Sequence, residues 1–154
     1  MMRDHCLACD LTEGRQPLPG GLIARFDGWR VEHCIGPFGV GTLIVKPARH
    51  VESLAALTGD EAGRLGPVLR LTAEVVQHTT GATQVYCCLW SHGPVHIHFV
   101  VQPEADDVVE RFGTWGPMLQ AAMVGDGTVP TDEEIEKAAW RARRTFEELM
   151  QQKE

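Results

Sequence analysis

Two histidines stand one residue apart in His96-Ile97-His98, inside the apolar run PVHIHFVVQP of residues 94 to 103. On an extended chain successive side chains alternate faces, so His96 and His98 project together while Val95, Ile97 and Phe99 project away. Such a pair can hold one metal ion. Alternatively, one ring can act as nucleophile or proton carrier while a hydrogen bond fixes its second nitrogen. Burying two adjacent rings without partners is costly, which argues against a merely structural pair. Near the N-terminus, Cys6-Leu-Ala-Cys9 has the spacing of a redox dithiol or of half a zinc site. The redox reading wants a strand that opens into a helix, and nothing in the surrounding residues supplies it; the metal reading wants two further ligands. A third histidine, His50 in KPARHVESL, and two glycine-containing turns complete the set, Gly36-Pro-Phe-Gly39-Val-Gly41 and Ser91-His92-Gly93-Pro94. Turns of this kind let backbone N–H groups approach a phosphate, although neither spacing matches the dinucleotide fingerprint or the P-loop.

Regular elements must hold these groups. LIARF and WRVEHC are β-type runs on either side of Asp27-Gly28, a dipeptide suited to a two-residue hairpin. TLIVK reads as a third strand, and QVYCCLW and VHIHFVV as a fourth and a fifth. Thr58-Gly-Asp-Glu61 has capping-box spacing and opens a helix through Leu65, Leu69, Thr72 and Val76, with Gly66-Pro67 as a point of kinking. Beyond Pro103 the chain mixes helix and loop until a second capping box, Thr131 to Glu134, opens the clearest helix. Its apolar stripe is Ile135, Ala138, Ala139, Ala142, Phe146, Leu149 and Met150, and Arg141, Arg143 and Arg144 read as a solvated face. The expected architecture is α+β: an antiparallel meander of about five strands crossed by one helix over residues 1–103, and a helical C-terminal extension over residues 104–154 packed on or beside it.

Composition narrows the function. With 154 residues, 44% of them hydrophobic and 23% charged, the chain suits a single domain of the soluble globular class. No apolar run approaches the roughly 20 residues of a membrane span, and no apolar stretch follows the charges of MMRDHCLACD, so a cytoplasmic protein is expected. A formal charge of -7 argues against a general binder of nucleic acid polymers but not against a small nucleotide. The acidity belongs mostly to the tail, where residues 104–154 hold six Lys/Arg against twelve Asp/Glu. Five cysteines, two of them adjacent, do not form a disulfide framework, and Cys34, Cys87 and Cys88 read as small buried hydrophobes.

Taken in order, CLAC, GVGTLIVKPARHVESL and HIHFVV resemble the histidine triad (HIT) superfamily. Its bacterial members often carry C-x-x-C, a segment like GHTLVIPKKHVESL, and the signature His-φ-His-φ-His-φ-φ. The similarity spans about residues 6–103. It implies a HIT-like antiparallel sheet with a crossing helix, commonly paired into a homodimer. It also implies a nucleotide hydrolase or nucleotidyl transferase that works on the α-phosphate of a nucleoside phosphate derivative through a nucleotidyl-histidine. Carried over, it makes Cys6, Cys9, His50 and His96 the ligands of a structural zinc and His98 the nucleophile. Ser91, His92 and Gly93 then stand where the phosphate would be contacted. Two departures qualify the resemblance. The third triad position falls on Val100, which cannot donate a hydrogen bond, and the Gly-Gln-Ser/Thr stretch that usually precedes the triad is missing. They point to an alternative, a catalytically inactive zinc-stabilised nucleotide-binding protein. A register two residues earlier, with Pro94, His96 and His98 as the triad, keeps the same face. The first register completes the metal set and leaves Pro103 at the family's post-strand proline.

Overall fold

The structure, a computed structural model, describes residues 6–92 and 95–152. A short helix α1 (Leu7–Thr12) leads into β1 (Leu22–Phe26) and β2 (Trp29–His33), followed by β3 (Leu43–Pro47). A 3-10 turn at Leu54–Ala56 precedes the long helix α2 (Gly59–Thr80); β4 (Val85–Cys88) and β5 (Phe99–Pro103) complete the strands. Three helices close the chain: α3 (Asp106–Phe112), α4 (Gly116–Asp126) and α5 (Asp132–Gln151).

The β1–β2 hairpin forms where Asp27-Gly28 predicts it, with Phe26 opposite Trp29 and Gly28 at φ +79°. All pairings in the sheet are antiparallel, but its order is β1-β2-β3-β5-β4 rather than that of a simple meander. After α2 the chain first lays down an edge strand and then inserts β5 between it and β3.

Strand alternation gives the sheet two different faces. On one, Trp29, Val31, Leu43, Val45, Phe99 and Val101 form a single core with Val68, Leu71, Val75 and Val76 of α2 and with Ala139, Ala142, Phe146 and Leu149 of α5. The Trp29 indole donates to the Glu61 carbonyl at the start of α2 and packs against Phe99 with ring centroids 6.3 Å apart. The other face carries Glu32, Ile44, Lys46 and Val100, together with the cleft described below.

Both capping boxes are present: Thr58 with Glu61 opens α2, and Thr131 with Glu134 opens α5. Pro67 does not break α2, which runs through it without interruption. The buried stripe of α2 is Val68, Leu71, Thr72, Val75 and Val76, while Leu65 and Leu69 lie at its margin. On α5, the stripe expected from the sequence is buried except for Met150, which is exposed. Nor is Arg143 solvated: its guanidinium donates to the carbonyls of Gly20 and Leu22, clamping α5 to the start of β1.

One correction concerns the histidine run itself. The fifth strand begins at Phe99, so His96 and His98 precede it and are not ladder residues. β3 pairs with β5 over Leu43 to Val45 only. Beyond that, the Ile97 N–H donates to the Val51 carbonyl at 2.8 Å and the His96 ring to the Pro47 carbonyl at 2.9 Å. Pro47 has no N–H to continue the ladder. The segment is therefore held by the loop that leaves β3.

Candidate functional site

Three pieces of chain meet beside the sheet face opposite the main core. Cys6 caps the N-terminus of α1 and Cys9 lies one turn on; His50 sits in the loop after β3; His96 sits just ahead of β5. The ligand atoms of Cys6, Cys9, His50 and His96 all lie within 4.8 Å of one another. Cys9 Sγ is 3.4 Å from His50 Nδ1 and 3.5 Å from His96 Nδ1, and the two rings meet edge-to-face at 5.2 Å. These are the four residues that the resemblance implies as metal ligands.

The donor set fits a metal. His96 donates through Nε2–H to Pro47 O, and His50 places Nε2 3.1 Å from Glu52 Oε1. Each ring is thereby oriented with Nδ1 toward the cysteines, which is how outer hydrogen bonds orient a metal-bound imidazole. Burial holds His96 down at about 4, so the ring is neutral and free to ligate at neutral pH. Burial also raises the Cys9 thiol, and the neighbouring Cys6 raises it further. Two cysteines and two histidines in this space make a closed Cys2His2 set, a composition typical of structural zinc.

His98 occupies a different role. Its Nδ1 is 3.1 Å from the His96 carbonyl, which can only accept, so the proton sits on Nδ1 and the lone pair on Nε2. The ring is partly exposed and borders a cleft of about 770 Å³. One wall of that cleft is α1, through Leu7, Ala8 and Leu11; the other is the loop after β2, through Ile35 and Phe38. Val100, only 5% exposed, lines the sheet side next to His98 and offers no polar atom. Ser91 and His92 are exposed and are not among the residues lining the cleft, and Gly93 lies outside the described residues.

His33 shows the contrast. Its Nδ1 donates to Cys34 O at 2.7 Å and its Nε2 accepts from the Gly41 N–H at 2.9 Å, so neither nitrogen is left over. Gly41 adopts φ +87°, and a Cβ there would come within 2.5 Å of Thr80 Cγ2. The loop between β2 and β3 is closed by that bond. Cys34 is buried, and burial pushes its thiol up to about 11, in line with a small hydrophobe. Cys87 is exposed and Cys88 partly so, unlike the buried pair expected.

Sequence reasoning passed over one feature of the cleft. Lys46 Nζ donates to Glu32 Oε1 at 2.6 Å and to the Ala8 carbonyl at 2.9 Å, with both side chains essentially without solvent contact. Glu32 stands opposite Ile44 and Lys46 opposite Arg30, so the two are diagonal neighbours on one face. Only the β2–β3 register reveals that.

No family model matches this chain, and no curated protein matches it. Among solved structures, a hypothetical histidine triad nucleotide-binding protein from Sulfolobus tokodaii superposes with a TM-score of 0.72 at 17% identity, covering 94% of this chain and 93% of the other. A zinc-bound histidine triad family protein from Mycobacterium smegmatis gives 0.69 at 18% identity over 95% and 96% of the two chains. A Hit-like protein from Bartonella henselae gives 0.69 at 14% identity over 90% and 94%. The chain therefore has the fold of the histidine triad proteins.

Proposed function

We propose that this protein is a nucleotide hydrolase or nucleotidyl transferase acting on the α-phosphate of a nucleoside phosphate derivative, such as a dinucleoside polyphosphate or a nucleoside phosphoramidate. The observation that carries the reading is His98: a ring whose Nδ1–H is anchored on a carbonyl and whose Nε2 lone pair borders a cleft large enough for a nucleotide. Nε2 attacks the α-phosphorus, the bond to the leaving group breaks, and the leaving group departs with the electron pair and takes up a proton. Water or another acceptor then attacks the same phosphorus and gives up a proton as the P–Nε2 bond breaks, so His98 regains its lone pair. Two displacements replace one difficult step. The likeness to a protein described as nucleotide-binding supports this substrate class.

Cys6, Cys9, His50 and His96 would hold zinc. Closed to further ligands, the ion would join α1 to the chain just before β5 and activate no water. His96 would then serve the metal with Nδ1 and present its carbonyl to His98. This division of labour favours His98 over His96 as the nucleophile. Pairing into a homodimer rests on the resemblance. Among the described residues, no helix is long and apolar enough to cross a membrane.

Val100 favours a second reading, a zinc-stabilised nucleotide-binding protein without turnover, because an apolar buried side chain stands where a third donor to phosphate would act. Incubation with diadenosine tetraphosphate and adenosine 5′-phosphoramidate, for the wild type, His98→Ala and His96→Ala, separates the two. Turnover lost in His98→Ala with zinc retained supports the enzyme. Nucleotide binding without turnover in the wild type supports the binding protein.

A further inference from the structure

The pairing of β4 with β5 ends just short of the histidines, at Cys88 opposite Val100. Carried two positions further, the same register sets Trp90 opposite His98, on the face that holds Cys88, Val100 and Gln102. There the Trp90 indole N–H donates to Gln120 Oε1 of α4 at 2.9 Å. Gln120 Nε2 donates in turn to Gln102 Oε1 at 3.0 Å, and Gln102 Nε2 reaches Met123 Sδ at 3.1 Å. An indole can only donate, so these partners fix which way the Gln120 amide points. One side chain of the C-terminal helices thus ties the chain both before and after the segment that carries His96 and His98.

Packing alone does not call for this arrangement. The Trp90 ring is 63% exposed, so water could satisfy its N–H, whereas Gln120 and Gln102 are 6% and 1% exposed. Buried amides are costly unless their groups are paired, and a paired network holds one geometry. At the other end of β4 the Gly116 N–H donates to Tyr86 Oη at 2.9 Å, so α4 is fixed along the strand at two points.

Resting on the reading of His98 as nucleophile, we infer that Gln120 is a positioning residue for the chemistry there, acting through Trp90 and Gln102. It fixes the position facing His98 where the ladder has stopped, and so makes the C-terminal extension a working part of the site. Reacting groups must be held in near-attack geometry, and a misplacement of about 1 Å can cost on the order of 10²-fold in rate.

Steady-state hydrolysis of adenosine 5′-phosphoramidate by the zinc-loaded full chain tests this in Trp90→Phe, Gln120→Met and the double variant. Trp90→Phe keeps an aromatic ring at an exposed position and removes the N–H; Gln120→Met keeps the length of the side chain and removes both amide bonds. Each single change lowers kcat about tenfold with KM within about twofold of the wild type. The double variant is no slower than the slower single one, since both changes cut the same tie. Losses that multiply in the double variant, a rise in KM at unchanged kcat, or unchanged turnover in Trp90→Phe overturn the inference and leave the nucleotide reading standing. Should Gln120→Met fail to fold, kcat of Trp90→Phe alone decides. If the wild type turns over neither the phosphoramidate nor diadenosine tetraphosphate, the enzyme reading and this inference fall together.

Discussion

The two faces of the sheet solve opposite problems with the same alternating strands. Trp29, Val31, Leu43, Val45, Phe99 and Val101 point into an apolar core where packing dominates and the Trp29 indole donates its N–H to the Glu61 carbonyl. On the reverse face, Glu32, Lys46 and Val100 meet α1, the histidines and a cleft; Lys46 is held by Glu32 Oε1 and the Ala8 carbonyl, while Glu32 Oε2 has no partner among the described residues. Two histidines mark the contrast. Both nitrogens of His33 are used to close a loop, whereas His98 spends one on a carbonyl and keeps the other. A histidine with a spare nitrogen beside a cleft is a chemical group; one without is a strut.

Substitutions on the two faces should therefore fail in different ways. The largest effect expected is from His98→Ala, which removes the proposed nucleophile: hydrolysis of the phosphoramidate falls by at least ~10³-fold while metal content and melting temperature hold. Retained turnover in that variant would move the nucleophile elsewhere. Next comes the core: Phe146→Ala, at a side chain 2% exposed, costs about 3–5 kcal/mol in denaturant unfolding and leaves bound zinc per folded chain unchanged. His96→Ala or Cys9→Ala does the reverse to metal analysis, taking zinc toward zero by elemental measurement. Val100→Gln sharpens the comparison further, since a donor beside His98 should raise turnover about tenfold, toward the 10²–10³ that a single well-placed donor can contribute. An unchanged rate would mean that the position does not see the phosphate.

The smallest effect is one of pH. Burial lowers His33 from its ordinary 6.5, so the unfolded chain binds a proton more readily than the folded one. Stability is then fully present above pH 6.5 and declines as pH falls through the window below it. A His33→Gln variant, followed by thermal melts from pH 7.5 downward, should show a flatter profile than the wild type.

Much of this was legible in the order of residues. The hairpin at Asp27-Gly28 and both capping boxes are local signals, and they form as their residue types require. The four residues of the cysteine–histidine cluster were reachable only through the resemblance, because spacing alone left the cysteine pair without its histidines. The limits of β5 were not legible: whether His96 belongs to a ladder depends on Pro47, 49 residues before it, and on Val51, which holds Ile97. The Glu32–Lys46 pair was hidden for the same reason. Parity placed each on a face, but diagonal contact needs the register between strands. Arg143 was misjudged because its partners are backbone carbonyls, which no charge pattern reveals.

The cysteine–histidine cluster also has a consequence in time. Cys9 reaches His50 across 41 positions and His96 across 87. A chain emerging from the ribosome exposes its two thiols first and must wait for more than half of its length before the last imidazole arrives. Closing so long a loop is slow, although each doubling of its length adds only ~0.6 kcal/mol of entropic cost. Helices α3 to α5 follow the last of the four residues, so the cluster can assemble before the C-terminal third of the chain, including the α5 stripe that seals the opposite core, has arrived.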